Sequence, residues 1–282
     1  MKQDEKFAAQ HIPETLAWVA RELMSAQADL VVAPETAVPL LPMQLREFAP
    51  GYWEMLVEHF AAPGRAALLG VPLGDFDRGY TNSVAGLSAG ASYRYDKSPL
   101  VPFGEFIPTG FRWFTDLMQI PLGDFARGVP VPASFAAAGQ RLAPNICYED
   151  LFGEELARRF ADAASAPTVL VNISNIGWFG DTVAIGQHLN ISRLRSLELQ
   201  RPMLRATNTG ATAIVDHRGV VTAMLPPQTR AVLQGQVQGR QGTTPFAAWA
   251  ARWGLWPALG LALLLMGLGR VGRAQAGPLS ST

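Results

Sequence analysis

Three residues of this 282-residue chain place reactive side chains at the ends of strand-like runs. Glu35 follows the apolar run Ala28–Pro34 (ADLVVAP), Lys97 follows Ala91–Asp96 (ASYRYD), and Cys147 lies in LAPNICYED at the end of Leu142–Tyr148. A thiol needs a base to become a nucleophile, and Glu35 is the candidate base. It also needs a cation to hold the thiolate and the oxyanion that follows, and Lys97 is the candidate cation. In α/β sheets such sites assemble at strand ends. Taken singly, each residue has a bland reading. A lone Cys is ordinarily a small core residue, a Glu after Pro caps a turn, and a Lys is solvated. Three complementary groups at three strand ends favour nucleophilic acyl chemistry.

The rest of the composition narrows the field. Cys147 is the only cysteine, so internal disulfides and Cys-based zinc sites are excluded. His11, His59, His188 and His217 are scattered without ligand spacing, so no metal is expected. Lysine occurs only at Lys2, Lys6 and Lys97 among many arginines, which sets Lys97 apart. The formal net charge is zero, which gives no case for nucleic acid or a broadly anionic partner.

The elements that must carry these residues alternate. Helices are expected over Pro13–Ala26, Tyr52–Ala62, Leu151–Ala161 and Ile185–Leu199. Strands are expected over Ala28–Pro34, Ala66–Val71, Leu142–Tyr148, Thr168–Ser174, Pro202–Thr207, Thr212–Asp216 and Ala231–Gln236. Thr81–Leu87 and Ala91–Asp96 read as a hairpin around Ser88–Gly90. Interleaved strands and helices imply α/β layers. Arg193, Arg195 and His188 fall on the last helix without a common stripe and read as structural. The start MKQDEKF is no signal peptide. Near the other end, Trp253–Gly269 is a run of 17 uncharged residues between Arg252 and Arg270. At 1.5 Å per residue it reaches roughly 25 Å, the lower edge of a membrane span. Trp253 and Trp256 suit the interface, whereas flanking arginines on both sides leave orientation unread.

Longer strings carry a resemblance. APETAVP, YDKSPLVPFGEFIP, ICYEDLFGE and NISNIGWFG, followed by QH and RSLELQRPMLRATNTG, resemble the membrane branch of the nitrilase superfamily, the apolipoprotein N-acyltransferases. Nitrilases at large share only the Glu, the Lys opening a Pro-containing loop, and the Cys before Tyr/Trp-Glu. The VPFGEFIP and RPMLRATNTG strings are more particular to the acyltransferases. Ile176 stands where that family's pattern has an Asp.

The resemblance implies an α/β fold, a nitrilase-like αββα sandwich followed by one C-terminal transmembrane helix. It divides the chain into a catalytic domain over 1–240, a linker over 241–252, a transmembrane helix over 253–269 and a polar tail over 270–282. The family carries a bundle of membrane helices before this domain. The present sequence is therefore expected to hold the later part only, starting after the domain's first strand. By resemblance Glu35 is the general base, Lys97 the oxyanion stabiliser and Cys147 the acylated nucleophile. Glu105 and Glu149 are supporting carboxylates that orient Lys97 and the nucleophile loop. On physical grounds the Tyr148 N–H is a candidate oxyanion donor. Phe103, Trp178 and Phe179 are candidate substrate contacts, along with the aromatic stretch through Phe106, Phe111, Trp113 and Phe114; ordinary core packing is the equal alternative.

The implied partners are a phospholipid acyl donor, a diacylglyceryl apolipoprotein acceptor and the membrane itself; no cofactor is implied. The implied location is a bacterial inner membrane with the catalytic domain facing the periplasm. Two alternatives stay open: a carbon–nitrogen hydrolase of amidase or nitrilase type, with water as acceptor, and an inactive membrane-tethered fragment.

Overall fold

Apolar residues alternate along the strands with two destinations, and this alternation sets the layers. In β2 (Ala66–Asp75), Ala67, Leu69 and Val71 face one core, whereas Ala66 and Leu68 face another. In β7 (Val169–Ser174), Val169, Val171 and Ile173 face that second core, and Leu170 faces a third. A strand apolar on both sides must lie between two packed layers. The computed structural model describes residues 11–90, 92–107, 125–177, 180, 182–226 and 229–275, without the side chains of 269–275.

Two sheets result. The first has the order β1-β2-β3-β4, with β1 Leu30–Val32, β3 Gly79–Ser88 and β4 Tyr93–Asp96. The second has the order β10-β9-β8-β7-β6-β5, with β5 Phe135–Ala137, β6 Gln140–Ile146, β8 Met203–Thr207, β9 Ala213–Val215 and β10 Val221–Met224. Strands β6, β7 and β8 are parallel neighbours. Their carboxyl ends therefore lie along one edge, the edge at which Cys147 emerges.

The core between the sheets joins Leu68, Val84 and Tyr95 to Leu142, Ile146, Val171 and Ile173. On the outer face of the first sheet lie α1 (Ile12–Ser25), α2 (Pro42–Phe48) and α3 (Tyr52–Phe60), with Leu16, Val19, Leu23, Leu56 and Phe60 buried. On the outer face of the second lie α4 (Gly153–Ala157), α5 (Ala184–Leu199) and α6 (Pro245–Trp253). The architecture is an αββα sandwich.

Three expected elements of the sandwich differ from those observed, and further elements are additional. The helix expected over Leu151–Ala161 is a 3-10 turn at Cys147–Leu151, α4, and a second 3-10 turn at Arg158–Phe160, broken at Phe152, whose φ is −96° and ψ 76°. The strand expected to run through Tyr148 stops at Ile146, because Cys147 turns to φ 55°. Residues 231–236 form no strand. The short α2, β5 and β10 and the α6 helix are additional. Arg201 explains how the chain reaches α6: nearly fully buried, it donates to the carbonyls of Pro167 at 2.7 Å and Gly242 at 2.5 Å. The Thr244 hydroxyl then caps α6 by accepting from the Ala247 N–H at 3.0 Å.

The apolar run near the C-terminus is not one helix. Gly254, at φ 56°, ends α6, and α7 covers Trp256–Gln275. Trp253 thus belongs to α6 rather than to the apolar helix. Among the described residues no single helix is long and apolar enough to cross a membrane. The pair α6 and Trp256–Leu268, bent by 89°, passes by length and composition together. The apolar side chains of α7 from Leu259 to Leu268 lie exposed.

Candidate active site

The site is built where the ends of β1, β4 and β6 face one another. Glu35 follows β1, and its approach depends on Gly70 of the neighbouring β2. A Cβ on Gly70 would come within 2.5 Å of the Pro34 carbonyl oxygen and the Thr36 amide, and within 2.6 Å of the Glu35 Cα. The Glu35 carboxylate is buried. It accepts from the Asn82 side-chain amide at 2.7 Å and from the Asn175 backbone N–H at 2.7 Å.

Lys97 follows β4 and is only 1% exposed. A buried ammonium needs anionic partners to remain charged. Lys97 Nζ donates to Glu105 at 2.8 Å and lies 3.8 Å from Glu35. Burial acts to depress Lys97, but Glu35, the Cys147 sulfur and Glu105 outweigh it and raise the group above its ordinary value. Asn82 also donates to Glu105 at 2.9 Å, so one amide ties the two carboxylates together. Glu105 accepts besides from the Val101 N–H at 2.9 Å, which closes the loop after Lys97.

Cys147 sits on an elbow between β6 and its 3-10 turn. Its φ of 55° is uncommon for any residue other than glycine. Thr36 and Phe103 share this feature with φ of 49° and 60°, so all three site segments carry left-handed backbone. Glu149 fastens the elbow: it accepts from the Ile146 N–H at 2.6 Å, the Ser98 N–H at 2.9 Å and the Tyr95 hydroxyl at 2.5 Å. Burial pushes the Glu149 carboxyl up to about 7, against the pull of the Tyr95 hydroxyl and the Lys97 charge. Burial and the Glu35 charge together push the Cys147 thiol up to about 12, against the opposing pull of Lys97. A thiol held this high keeps its proton and would need a base to act as a nucleophile.

The structure brings Glu35, Lys97, Cys147 and Glu105 together, with Glu149 and Tyr148 on the elbow. The Tyr148 hydroxyl donates to the Leu100 carbonyl at 2.7 Å, and its ring lies 5.5 Å from Lys97 Nζ. Phe103 stands on the Lys97 loop, 36% exposed. Trp178, Phe179 and the stretch 108–124 lie outside the described residues. Ile176 is buried against Gly210.

Several polar residues around the site were not singled out by sequence reasoning. Asn82, Asn145, Asn172 and Ser174 line the ends of otherwise apolar strands, all buried. Behind Cys147, Asp150 meets Arg205 at 3.3 Å and His188 at 3.1 Å. His188, expected to be merely structural, also lies 3.1 Å from the Cys147 carbonyl oxygen. The available signal was a polar residue inside a buried strand: Asn172 in VLVNIS and Arg205 in MLRAT. Among the described residues no cluster of three or more His, Cys, Asp or Glu is arranged to hold a metal ion.

This fold, with a carboxylate, an ammonium and a thiol at adjacent strand ends, defines a class. The chain belongs to the carbon–nitrogen hydrolase family, whose profile matches residues 2–245. It is 62% identical to an apolipoprotein N-acyltransferase of Verminephrobacter eiseniae over 90% of this chain and 49% of that protein. It is 48% identical to an apolipoprotein N-acyltransferase of Ralstonia nicotianae over 98% of this chain and 52% of that protein. The chain thus spans about half the length of the curated relatives it matches. Among solved structures, a carbon–nitrogen hydrolase superfamily protein of Xanthomonas campestris, bearing an arsenic adduct in its active site, superposes with TM-score 0.56. Its identity is 19%, over 87% of this chain and 89% of that one. An amidase of Nesterenkonia sp. AN1, with acrylamide added to its active-site cysteine, superposes with TM-score 0.55. Its identity is 15%, over 76% of this chain and 83% of that one. These two likenesses establish the shared fold.

Proposed function

We propose that the protein is the catalytic part of an N-acyltransferase that moves an acyl chain from a membrane phospholipid to the amine of a diacylglyceryl-cysteine apolipoprotein. The observation that carries this reading is a buried Lys97 held between Glu35 and Glu105 beside the lone thiol, in a chain 62% identical to an apolipoprotein N-acyltransferase.

Glu35 takes the thiol proton as the Cys147 sulfur attacks the ester carbonyl carbon. A C–S bond forms, and the carbonyl oxygen becomes an oxyanion facing Lys97 Nζ and the Tyr148 N–H. The oxyanion collapses, the C–O bond breaks, and protonated Glu35 returns its proton to the departing lysophospholipid oxygen. The acceptor amine then attacks the thioester and loses a proton to Glu35. The C–N bond forms, the C–S bond breaks, and the thiol is restored. Glu105 keeps Lys97 charged and placed, and Glu149 holds the elbow.

Phe103, exposed on the Lys97 loop, is assigned to the acyl chain in this reading, and so are Trp178 and Phe179. Residues 1–240 act as the catalytic unit, and the segment expected as a linker over 241–252 is largely α6, which packs on the second sheet as part of that unit. The apolar run over 253–269 engages the bilayer and 270–282 is the polar tail, with the unit on the periplasmic side of an inner membrane. The exposed leucines of α7 support this engagement, since an apolar face of this length is costly in water.

The test is intact mass of detergent-solubilised protein after incubation with phospholipid, beside Cys147→Ser. The expected result is a gain of one acyl chain on the wild type alone, cleared by a lipopeptide amine. An adduct cleared equally by water would turn the reading toward hydrolysis. Acyl transfer surviving in Cys147→Ser would sink it.

A further inference from the structure

The Cys147 carbonyl oxygen is gripped from two sides. Asn172, on β7, donates to it through its side-chain amide at 3.0 Å and donates to Asn145 as well. His188, on α5, approaches it with Nε2 at 3.1 Å and approaches Asp150 with the same nitrogen at 3.1 Å. The other ring nitrogen settles which atom carries the proton. Arg205 Nη2 lies 3.3 Å from His188 Nδ1, and a guanidinium has donors only. Nδ1 is therefore the acceptor, Nε2 bears the hydrogen, and that hydrogen is shared between the Cys147 carbonyl and Asp150.

The groups behind His188 hold it in this state. Arg205 and Asp150 form an ion pair with no side-chain exposure. The Ser192 hydroxyl donates to Asp150 and accepts from Arg205. Turning the ring over would break its contacts with Arg205, Asp150 and the Cys147 carbonyl together. A trans peptide points its N–H opposite to its C=O, and none of the described peptide bonds is cis. Holding the Cys147 oxygen toward β7 and α5 therefore holds the Tyr148 N–H in the opposite direction, away from both elements. This matters because a flip of the Cys147–Tyr148 peptide, a rotation about ψ of Cys147 and φ of Tyr148, would turn the donor away.

We propose that His188, oriented by Arg205, Asp150 and Ser192, is a positioning residue that clamps the Cys147–Tyr148 peptide so that the Tyr148 N–H serves the oxyanion. This rests on the reading of Cys147 as an acylated nucleophile.

Two substitutions separate the clamp from mere packing. His188→Asn keeps a polar partner for Arg205 but is too short to reach the Cys147 carbonyl, whereas His188→Gln carries an amide N–H to about the position of Nε2. Each variant and the wild type is treated with p-nitrophenyl octanoate, whose attack passes through an oxyanion, and with iodoacetamide, whose attack does not. Loss of a single oxyanion donor costs about 10²–10³ in rate, and a loosened donor is expected to cost part of that. His188→Asn should acylate about 10–100-fold more slowly while alkylating within about 3-fold of wild type; His188→Gln should recover most of the acylation. Unchanged acylation in His188→Asn overturns the clamp, and so does an equal fall in both reactions. A wild type that accepts octanoate from the activated ester but nothing from phospholipid refutes the donor assignment and leaves the clamp standing. A wild type that alkylates yet never acylates refutes both.

Discussion

Two buried ionic clusters flank Cys147, and they are built on opposite plans. In front, Glu35 and Glu105 share one ammonium, Lys97, so carboxylates outnumber cations. Behind, Asp150 and Arg205 pair one for one, and Ser192 and His188 each contact both of them. A balanced pair with its lone pairs and hydrogens satisfied has no proton to exchange, and it serves shape. An unbalanced cluster has a carboxylate in excess, and a proton taken from sulfur relieves that excess. The thiol, pushed up to about 12 by burial and the Glu35 charge against the pull of Lys97, is the counterpart: its proton becomes acidic only as the sulfur gives its electron pair to a carbonyl carbon.

The sharpest way to break this comparison is to neutralise one group in each cluster and measure both activity and stability. Glu35→Gln keeps the shape and the Asn82 contact but removes the base. Acyl transfer should fall by about 10⁴-fold, the scale on which nucleophile–base units lose activity. Its denaturant midpoint should fall less than that of a rear-cluster variant, because Lys97 keeps its 2.8 Å bond to Glu105 when the Glu35 charge is lost. Arg205→Met should show the opposite pattern. Removing one partner of a buried pair strands the other, at about 3–5 kcal/mol of unfolding free energy. Urea unfolding read by tryptophan fluorescence checks it. If Glu35→Gln were the less stable and Arg205→Met the less active, the division of labour would be reversed.

The two clusters also differ in how legible they are in the sequence. The front cluster could be read because Glu35, Lys97 and Cys147 each directly follow a strand-like run: LVVAP, YRYD and LAPNI. Local chemistry and local structure coincide there. The rear cluster draws on a turn, two positions of one helix and a strand, with Asp150 and Arg205 separated by 55 positions in sequence. Nothing local distinguishes Ser192 or His188 from the polar face of an ordinary helix. The layers were legible from alternation, whereas the elbow was not. A strand was expected to continue through Tyr148, because positive φ at a cysteine leaves no compositional trace. Likewise the apolar run near the C-terminus reads as one span, and only the backbone at Gly254 shows that it turns there.

Glu149 belongs to the elbow rather than to either cluster, and pH sharpens its place. Its folded value of about 7 lies above the ordinary 4.5, so the folded state holds a proton that the unfolded chain has released between those two limits. Stability from this group is therefore greatest below about pH 4.5 and declines as pH rises toward 7, by roughly 3 kcal/mol at 1.36 kcal/mol per unit. The difference in unfolding free energy between wild type and Glu149→Gln, followed from pH 4.5 to 7.5, should carry this slope. A flat difference would mean that the three donors to Glu149 already keep it ionised in the folded state.

The smallest substitution examines how the front cluster is placed at all. The rear cluster is located by hydrogen bonds between side chains, so it tolerates small backbone shifts. Glu35 is located by close backbone approach: Pro34, Glu35 and Thr36 lie where a Cβ on Gly70 would have to be, and the Val38 N–H is bound to the Gly70 carbonyl at 3.1 Å. These are backbone atoms, which cannot rotate aside as the end of a flexible side chain does. Gly70→Ala must therefore push the segment after β1 outward, and with it the base. A displacement near 1 Å at a reacting group costs on the order of 10²-fold in rate. The same change costs about 1–3 kcal/mol of stability through overpacking. The decisive observation is which property falls further. A rate drop of about 10²-fold with an iodoacetamide reactivity that falls in parallel would show that Glu35 has moved away from the thiol. A rate drop with unchanged alkylation would place the damage elsewhere, in the acyl-binding loop rather than in the base.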